Sequence, residues 1–145
     1  MGISKRLKEY NSKTKIIGVQ PKPGTAIQGL KDLETRHVPK IWRRELIDEV
    51  YTVDPQDAEE TARLVTLREG IFLGPSSGAI LNIALKKAAE LDGGVMVAIA
   101  PDGGEKYLST SLCDPVLCLA CATKYDIPCS YRDGTPVSKI FSSML

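Results

Sequence analysis

Two periods of apolar residues alternate along this chain, and each change of period marks an element. Ile3, Leu7 and Tyr10 recur at helical spacing with basic residues between them, which predicts an amphipathic helix over residues 2–11 closed by Asn11-Ser12. Lys15 to Gln20 (Lys-Ile-Ile-Gly-Val-Gln) is a short apolar run stopped by Pro21 and predicts a buried strand. Residues 21–45 carry Pro, Gly and charge without a clear period, as expected of a long functional loop with one short helix. Glu49-Val50-Tyr51-Thr52-Val53 is rich in β-formers and predicts a second strand. Asp54-Pro55 then opens a helix, with Asp54 as N-cap, Pro55 in the first turn, Ala58, Ala62 and Val65 on the buried face, and Gly70 at the end.

Ile71-Phe72-Leu73 leads into Gly74-Pro75-Ser76-Ser77-Gly78, after which Ile80, Ile83, Ala84, Ala88 and Leu91 predict a third helix stopped by Asp92-Gly93-Gly94. Val95 to Ala100 is apolar at every position and predicts a strand buried on both faces. Strands alternating with helices define an α/β fold: three layers, with a short parallel sheet flanked by helices. Three strands are few for such a sheet. Because a parallel sheet needs both faces covered, this pattern predicts support from outside the chain.

Composition narrows the partners. The 145 residues suit one ordinary domain, and a formal net charge of +1 with interspersed signs argues against nucleic acid or an anionic membrane. No apolar run approaches the roughly 20 residues that cross a bilayer, and residues 1–6 lack the pattern of a signal peptide. The expected compartment is the cytoplasm.

Candidate chemistry gathers where ligands bind in open parallel sheets, beyond the carboxyl ends of the strands. Gln20–Leu30, Gly74–Gly78 and Pro101–Gly104 all fit that position and all carry Gly or small residues. The Gly74–Gly78 turn also opens a helix whose free N–H groups attract electron-rich ligands, although Ser76 or Ser77 as a plain N-cap would account for it equally.

Taken together, Gly70-Ile71-Phe72-Leu73-Gly74-Pro75-Ser76-Ser77-Gly78-Ala79 and Pro101-Asp102-Gly103-Gly104-Glu105-Lys106-Tyr107-Leu108-Ser109-Thr110 resemble the C-terminal half of a cysteine synthase, a fold type II pyridoxal-phosphate enzyme. The resemblance runs from about Met1 to Thr110, including Ile27-Gln28-Gly29-Leu30, and divides the chain into a cysteine synthase-like part (1–110) and a Cys-rich extension (111–145). It implies β-replacement on O-acetyl- or O-phosphoserine by sulfide. Ser76 would bond the pyridine nitrogen of the cofactor, with Gly74, Pro101 and Asp102 around the ring. Gly29 would line the substrate side, and Lys31 sits near where a basic residue could meet a substrate phosphate; an exposed loop lysine is the plain alternative. Gly29-Leu30-Lys31 with Val38-Pro39 departs from the commoner Gln-Gly-Ile-Gly-Ala-Gly-Phe form and looks closer to the cysteine synthase B-like branch.

Two required parts have no counterpart in the matching positions: the lysine that joins the cofactor, and the Gly/Thr-rich loop that holds its phosphate. The resemblance therefore implies a truncated or split chain that is inactive alone, completed by an N-terminal half or a homodimer partner. No residue here is named as catalytic.

All four cysteines lie in the extension, as Cys113-x4-Cys118-x2-Cys121-x7-Cys129. Such spacing suits a zinc site or an iron–sulfur cluster, and equally buried structural cysteines or a thiol–disulfide pair. A non-catalytic module built on this tail is the alternative function. His37 reads as a solvated loop residue, and Trp42 as an anchor for its loop.

Overall fold

A computed structural model describes residues 1–33 and 38–128. His37 and Cys129 lie outside the described residues. In chain order the elements are α1 (Gly2–Tyr10), β1 (Ile17–Pro21), β2 (Glu49–Val53), α2 (Pro55–Glu69), α3 (Pro75–Ala88) and α4 (Pro115–Lys124). Short 3-10 turns stand at Arg44–Leu46, Gly104–Tyr107 and Ser111–Cys113.

β1 and β2 form a two-stranded parallel sheet in register from Ile17↔Glu49 to Pro21↔Val53. Val50, Tyr51, Thr52 and Val53 suit a pleated surface, and Pro21, which has no N–H to give, stands at the last position of its strand. Lys22 N–H extends the ladder to the Val53 carbonyl at 2.9 Å. The Asp48 carboxylate takes Lys8 Nζ at 2.8 Å and Ile16 N–H at 2.7 Å, tying α1 and the start of β1 to the start of β2.

α2 begins and ends as its sequence dictates. Asp54 accepts from Gln56 N–H at 3.1 Å, and Gly70 takes the left-handed C-cap at φ 69°. α2 and α3 then pack closely because Gly78 has no side chain: a Cβ there would stand 2.1 Å from the Ala58 carbonyl and 2.8 Å from Ala62 Cβ. One core cluster joins Ile27, Val53, Ala58, Ala79 and Ile83 under the sheet. A second joins Ala62, Leu73 and Leu112, with Tyr107 and Cys113 against it, so the segment after Thr110 packs onto α2.

Three expectations need correction. The stripe Ile3, Leu7, Tyr10 of α1 is exposed, and the buried residue of that helix is Ser4. The third helix ends at Ala88, before the Asp92-Gly93-Gly94 stop. Val95–Ala100 is extended but belongs to no ladder, and Val95, Val97 and Ile99 are exposed. A strand is defined by hydrogen bonds to a neighbour, and among the described residues this segment has none to pair with.

Candidate functional site

The Gly74–Gly78 turn is the buried first turn of α3, and its serines do not cap it. The N-cap is Gly74, which has no side chain to offer, and the capping group arrives from the loop after residue 100. The Asp102 carboxylate accepts from Ser77 N–H at 2.8 Å and Ser76 N–H at 3.3 Å. Ser77 Oγ bonds the same carboxylate and, at 2.8 Å, the Asp102 carbonyl. Gly74 N–H returns a bond to the Asp102 carbonyl at 3.1 Å, and Gly104 N–H one to the Phe72 carbonyl at 3.1 Å, so the two loops run side by side around an antiparallel bridge between Leu73 and Gly103.

The glycines make this approach possible. A Cβ on Gly74 would lie 2.4 Å from the Asp102 carboxylate and 2.7 Å from the Tyr107 ring. On Gly104 it would lie 2.3 Å from the Phe72 ring. Gly29 adopts φ +80°, and its open Cα side faces Ser76 Oγ (3.2 Å from a built Cβ) and Tyr107 Oη (3.6 Å). Three segments distant in sequence thus converge on the Ser76 hydroxyl.

Charge follows from these contacts. Burial pushes the Asp102 pKa up, but hydrogen bonds from Ser77, Ser76 and Tyr107 outweigh it and hold the carboxyl below its ordinary value. Asp102 is therefore an anion at the positive end of α3. Burial, with the Asp102 charge adding to it, raises the Tyr107 phenol, which stays protonated at neutral pH. Ser76 is 1% exposed; its backbone N–H and its side chain both turn toward Asp102. A hydroxyl held at the N-terminus of a helix beside a carboxylate is suited to meet a polar ligand atom.

The structure therefore brings Gly29, Gly74, Ser76 and Asp102 together and adds Tyr107, along with Ser77, which the sequence offered only as a helix cap. Tyr107 was visible only as one aromatic in a loop; its role depends on the fold of Gly104–Tyr107. Pro101 is exposed beside Asp102, and Lys31 is exposed on its loop. Of the cysteines, Cys113 packs against the second core cluster, Cys121 is buried with its thiol 3.9 Å from the Glu60 carbonyl, and Cys118 is half-buried on α4. Burial raises the Cys113 thiol pKa. Among the described residues no three His, Cys, Asp or Glu side chains are grouped to hold a metal, so a zinc or iron–sulfur site has no support from these three cysteines. No helix among the described residues is long and apolar enough to cross a membrane.

A buried serine at a helix N-terminus, with a left-handed glycine and an acidic loop beside it, brings together residues that the sequence resemblance singles out. Residues 1–102 match the family described as pyridoxal-phosphate dependent enzyme, and the chain belongs to that family. It is 39% identical over 115 residues to cysteine synthase B of Pseudomonas aeruginosa, covering 79% of this chain and 38% of that protein. Cysteine synthase B of Escherichia coli is 40% identical over 111 residues, covering 77% and 37%. Among solved structures, cysteine synthase from Entamoeba histolytica superposes with a TM-score of 0.69 at 37% identity, over 77% of this chain and 36% of that one. An O-ureido-L-serine synthase superposes with a TM-score of 0.71 at 32% identity, over 77% and 38%. The chain thus spans well under half the length of these relatives. It is a partial fold type II α/β unit, similar to cysteine synthases.

Proposed function

We propose that this chain forms the cofactor-ring side of a cysteine synthase-like β-replacement enzyme acting on O-acetyl- or O-phosphoserine and sulfide. The observation that carries the reading is the Ser76 hydroxyl: buried in the first turn of α3, held beside Asp102, and faced by Gly29. The residues present fit the ring end of pyridoxal phosphate. Bound there, the cofactor supplies an electron sink for elimination at the β-carbon of the amino-acid substrate.

This chain's residues contribute position and electrostatics. The Ser76 hydroxyl would meet the ring nitrogen as a neutral partner, which would not hold that nitrogen protonated as a carboxylate would. Asp102 is spent on the backbone of Ser76 and Ser77, so its charge fixes the serine and is not the group aimed at the ring. Gly29, whose Cα side faces Ser76 and Tyr107, would line the substrate side. Lys31 stands on the same loop and is the candidate contact for a substrate phosphate. The lysine that joins the cofactor and the loop that binds its phosphate come from polypeptide outside the matched region.

The test is a chimera in which this chain replaces the matched region of Escherichia coli cysteine synthase B. The purified chimera should show the visible absorbance of bound pyridoxal phosphate and sulfide-dependent consumption of O-acetylserine or O-phosphoserine, and Ser76→Ala should weaken both. A folded chimera that binds no cofactor would overturn the reading.

A further inference from the structure

The ring and the hydroxyl of Tyr107 do different things. The ring packs against the cluster of Ala62, Leu73 and Leu112 and closes on Gly74, where a built Cβ would lie 2.7 Å from it. The backbone there is pinned as well, since the Tyr107 carbonyl accepts Thr110 N–H at 3.0 Å and Thr110 Oγ1 at 2.7 Å. The hydroxyl leaves the apolar cluster and gives a hydrogen bond to the Asp102 carboxylate. It also faces the left-handed Gly29, 3.6 Å from a built Cβ that stands 3.2 Å from Ser76 Oγ. Packing alone would be served by a phenylalanine, so the phenol oxygen needs a separate account.

The two oxygens of Asp102 are held unequally. Oδ1 takes Ser77 N–H at 2.8 Å and the Ser77 hydroxyl, whereas Oδ2 takes Ser76 N–H at the longer 3.3 Å. Oδ2 is also the oxygen against Gly74, 2.4 Å from a built Cβ, on the side where the Tyr107 ring packs. The oxygen that serves Ser76 is thus the less firmly held one, and Tyr107 is the donor beside it. Hydrogen bonds from a hydroxyl to a carboxylate are short and strong, which suits one to fixing a side chain.

We propose that Tyr107 is a positioning residue: its hydroxyl fixes the Asp102 carboxylate on the Ser76 side and, through it, orients the Ser76 hydroxyl toward the cofactor ring. The inference rests on the proposed function. In this role Tyr107 touches neither ring nor substrate; it acts through Asp102.

The test is Tyr107→Phe, which removes the hydroxyl and keeps the packed ring. In the lone chain the NMR titration of the Asp102 carboxyl should move up toward the ordinary carboxyl value, while the urea midpoint falls less than it does in Asp102→Ala. In the chimera, titration with pyridoxal phosphate should show an affinity about 5-fold weaker, the worth of one hydrogen bond. That loss should vanish in a Ser76→Ala background, because groups that act through one another are not additive. Tyr125→Phe removes a hydroxyl from a different carboxylate, that of Glu60, and should alter neither the Asp102 titration nor the affinity. An unmoved Asp102 titration, an unchanged affinity, an equal loss in the Ser76→Ala background, or a urea midpoint as low as that of Asp102→Ala would overturn the proposal. Any of these in a series whose parent chimera binds cofactor removes the positioning role alone. A folded parent chimera that binds none removes the function, and with it the role that depends on it.

Discussion

The Asp102 carboxylate caps α3 from 25 residues away, accepting the Ser77 N–H at 2.8 Å. Neither serine of the turn therefore has to cap the helix itself. The same contacts tie the loop after residue 100 to the α3 N-terminus and hold the Ser76 side chain beside the carboxylate.

Removing that cap should be costly. Asp102→Ala strands the Ser76 and Ser77 N–H groups, while the Ser77 hydroxyl keeps its bonds to the backbone of residue 102, so unfolding by urea should show a loss of about 1–3 kcal/mol. Asp102→Asn, which keeps an acceptor oxygen, should lose less.

The same contact sets a pH dependence. The Asp102 pKa is lower in the folded chain than in the unfolded one, so the folded state binds fewer protons at that carboxyl. Its stabilisation is complete above the ordinary carboxyl value of 3.8 and is lost as pH falls through the lower folded value. Urea midpoints measured at neutral pH and near pH 3 should therefore converge between the wild-type chain and Asp102→Asn as the pH drops. A constant difference between them would contradict the assignment.

Ser76→Ala should cost the chain no more than about 1 kcal/mol, the net worth of the hydrogen bond its side chain gives Asp102. In the chimera the same change should reduce cofactor affinity. A small shift of the urea midpoint with clearly weakened binding separates a ligand contact from a structural serine.

Gly78→Ala should be among the most damaging single-methyl additions, because the new Cβ meets backbone at the Ala58 carbonyl as well as the Ala62 side chain. Backbone yields less than a side-chain end, so a loss of about 1–3 kcal/mol is expected in thermal or urea unfolding. Gly93→Ala, with nothing within 4 Å, is the control and should change little.

Besides burying Cys121 and Ala122, the α4 region is tied to α2 through Glu60, whose carboxylate takes Tyr125 Oη at 2.6 Å and Lys124 Nζ at 2.5 Å. These two hydrogen bonds, Lys124 first, lower the Glu60 pKa. By the same sign the anchor is present above the ordinary value of 4.5 and weakens as pH falls through the lower folded one. Glu60→Gln should raise hydrogen exchange over Pro115–Lys124 at neutral pH while leaving α3 unaffected.

Much of this protein was legible in one dimension. Asp54 and Pro55 start α2, Gly70 ends it, and Val50 to Val53 make a strand, because caps, fixed dihedrals and β-branching act within a few residues and travel with the sequence. The Gly-Pro-Ser-Ser-Gly turn and the Pro-Asp-Gly-Gly loop could also be recognised as a pair and assigned to a family. What they do to each other could not. Local chemistry equally allowed Ser76 or Ser77 as the cap, and only the folded chain, by bringing Asp102 across, decided that neither is. Gly78 read as a turn residue until α2 lay against it. Val95–Ala100 carries every local sign of a strand yet forms none among the described residues, since a strand needs hydrogen bonds from a neighbour that no local pattern supplies. Propensity and capping belong to the sequence by itself; the approach of Asp102 to Ser77, the crossing of α2 on α3 and the pairing of a strand are non-local contacts, and the tertiary structure alone decides them.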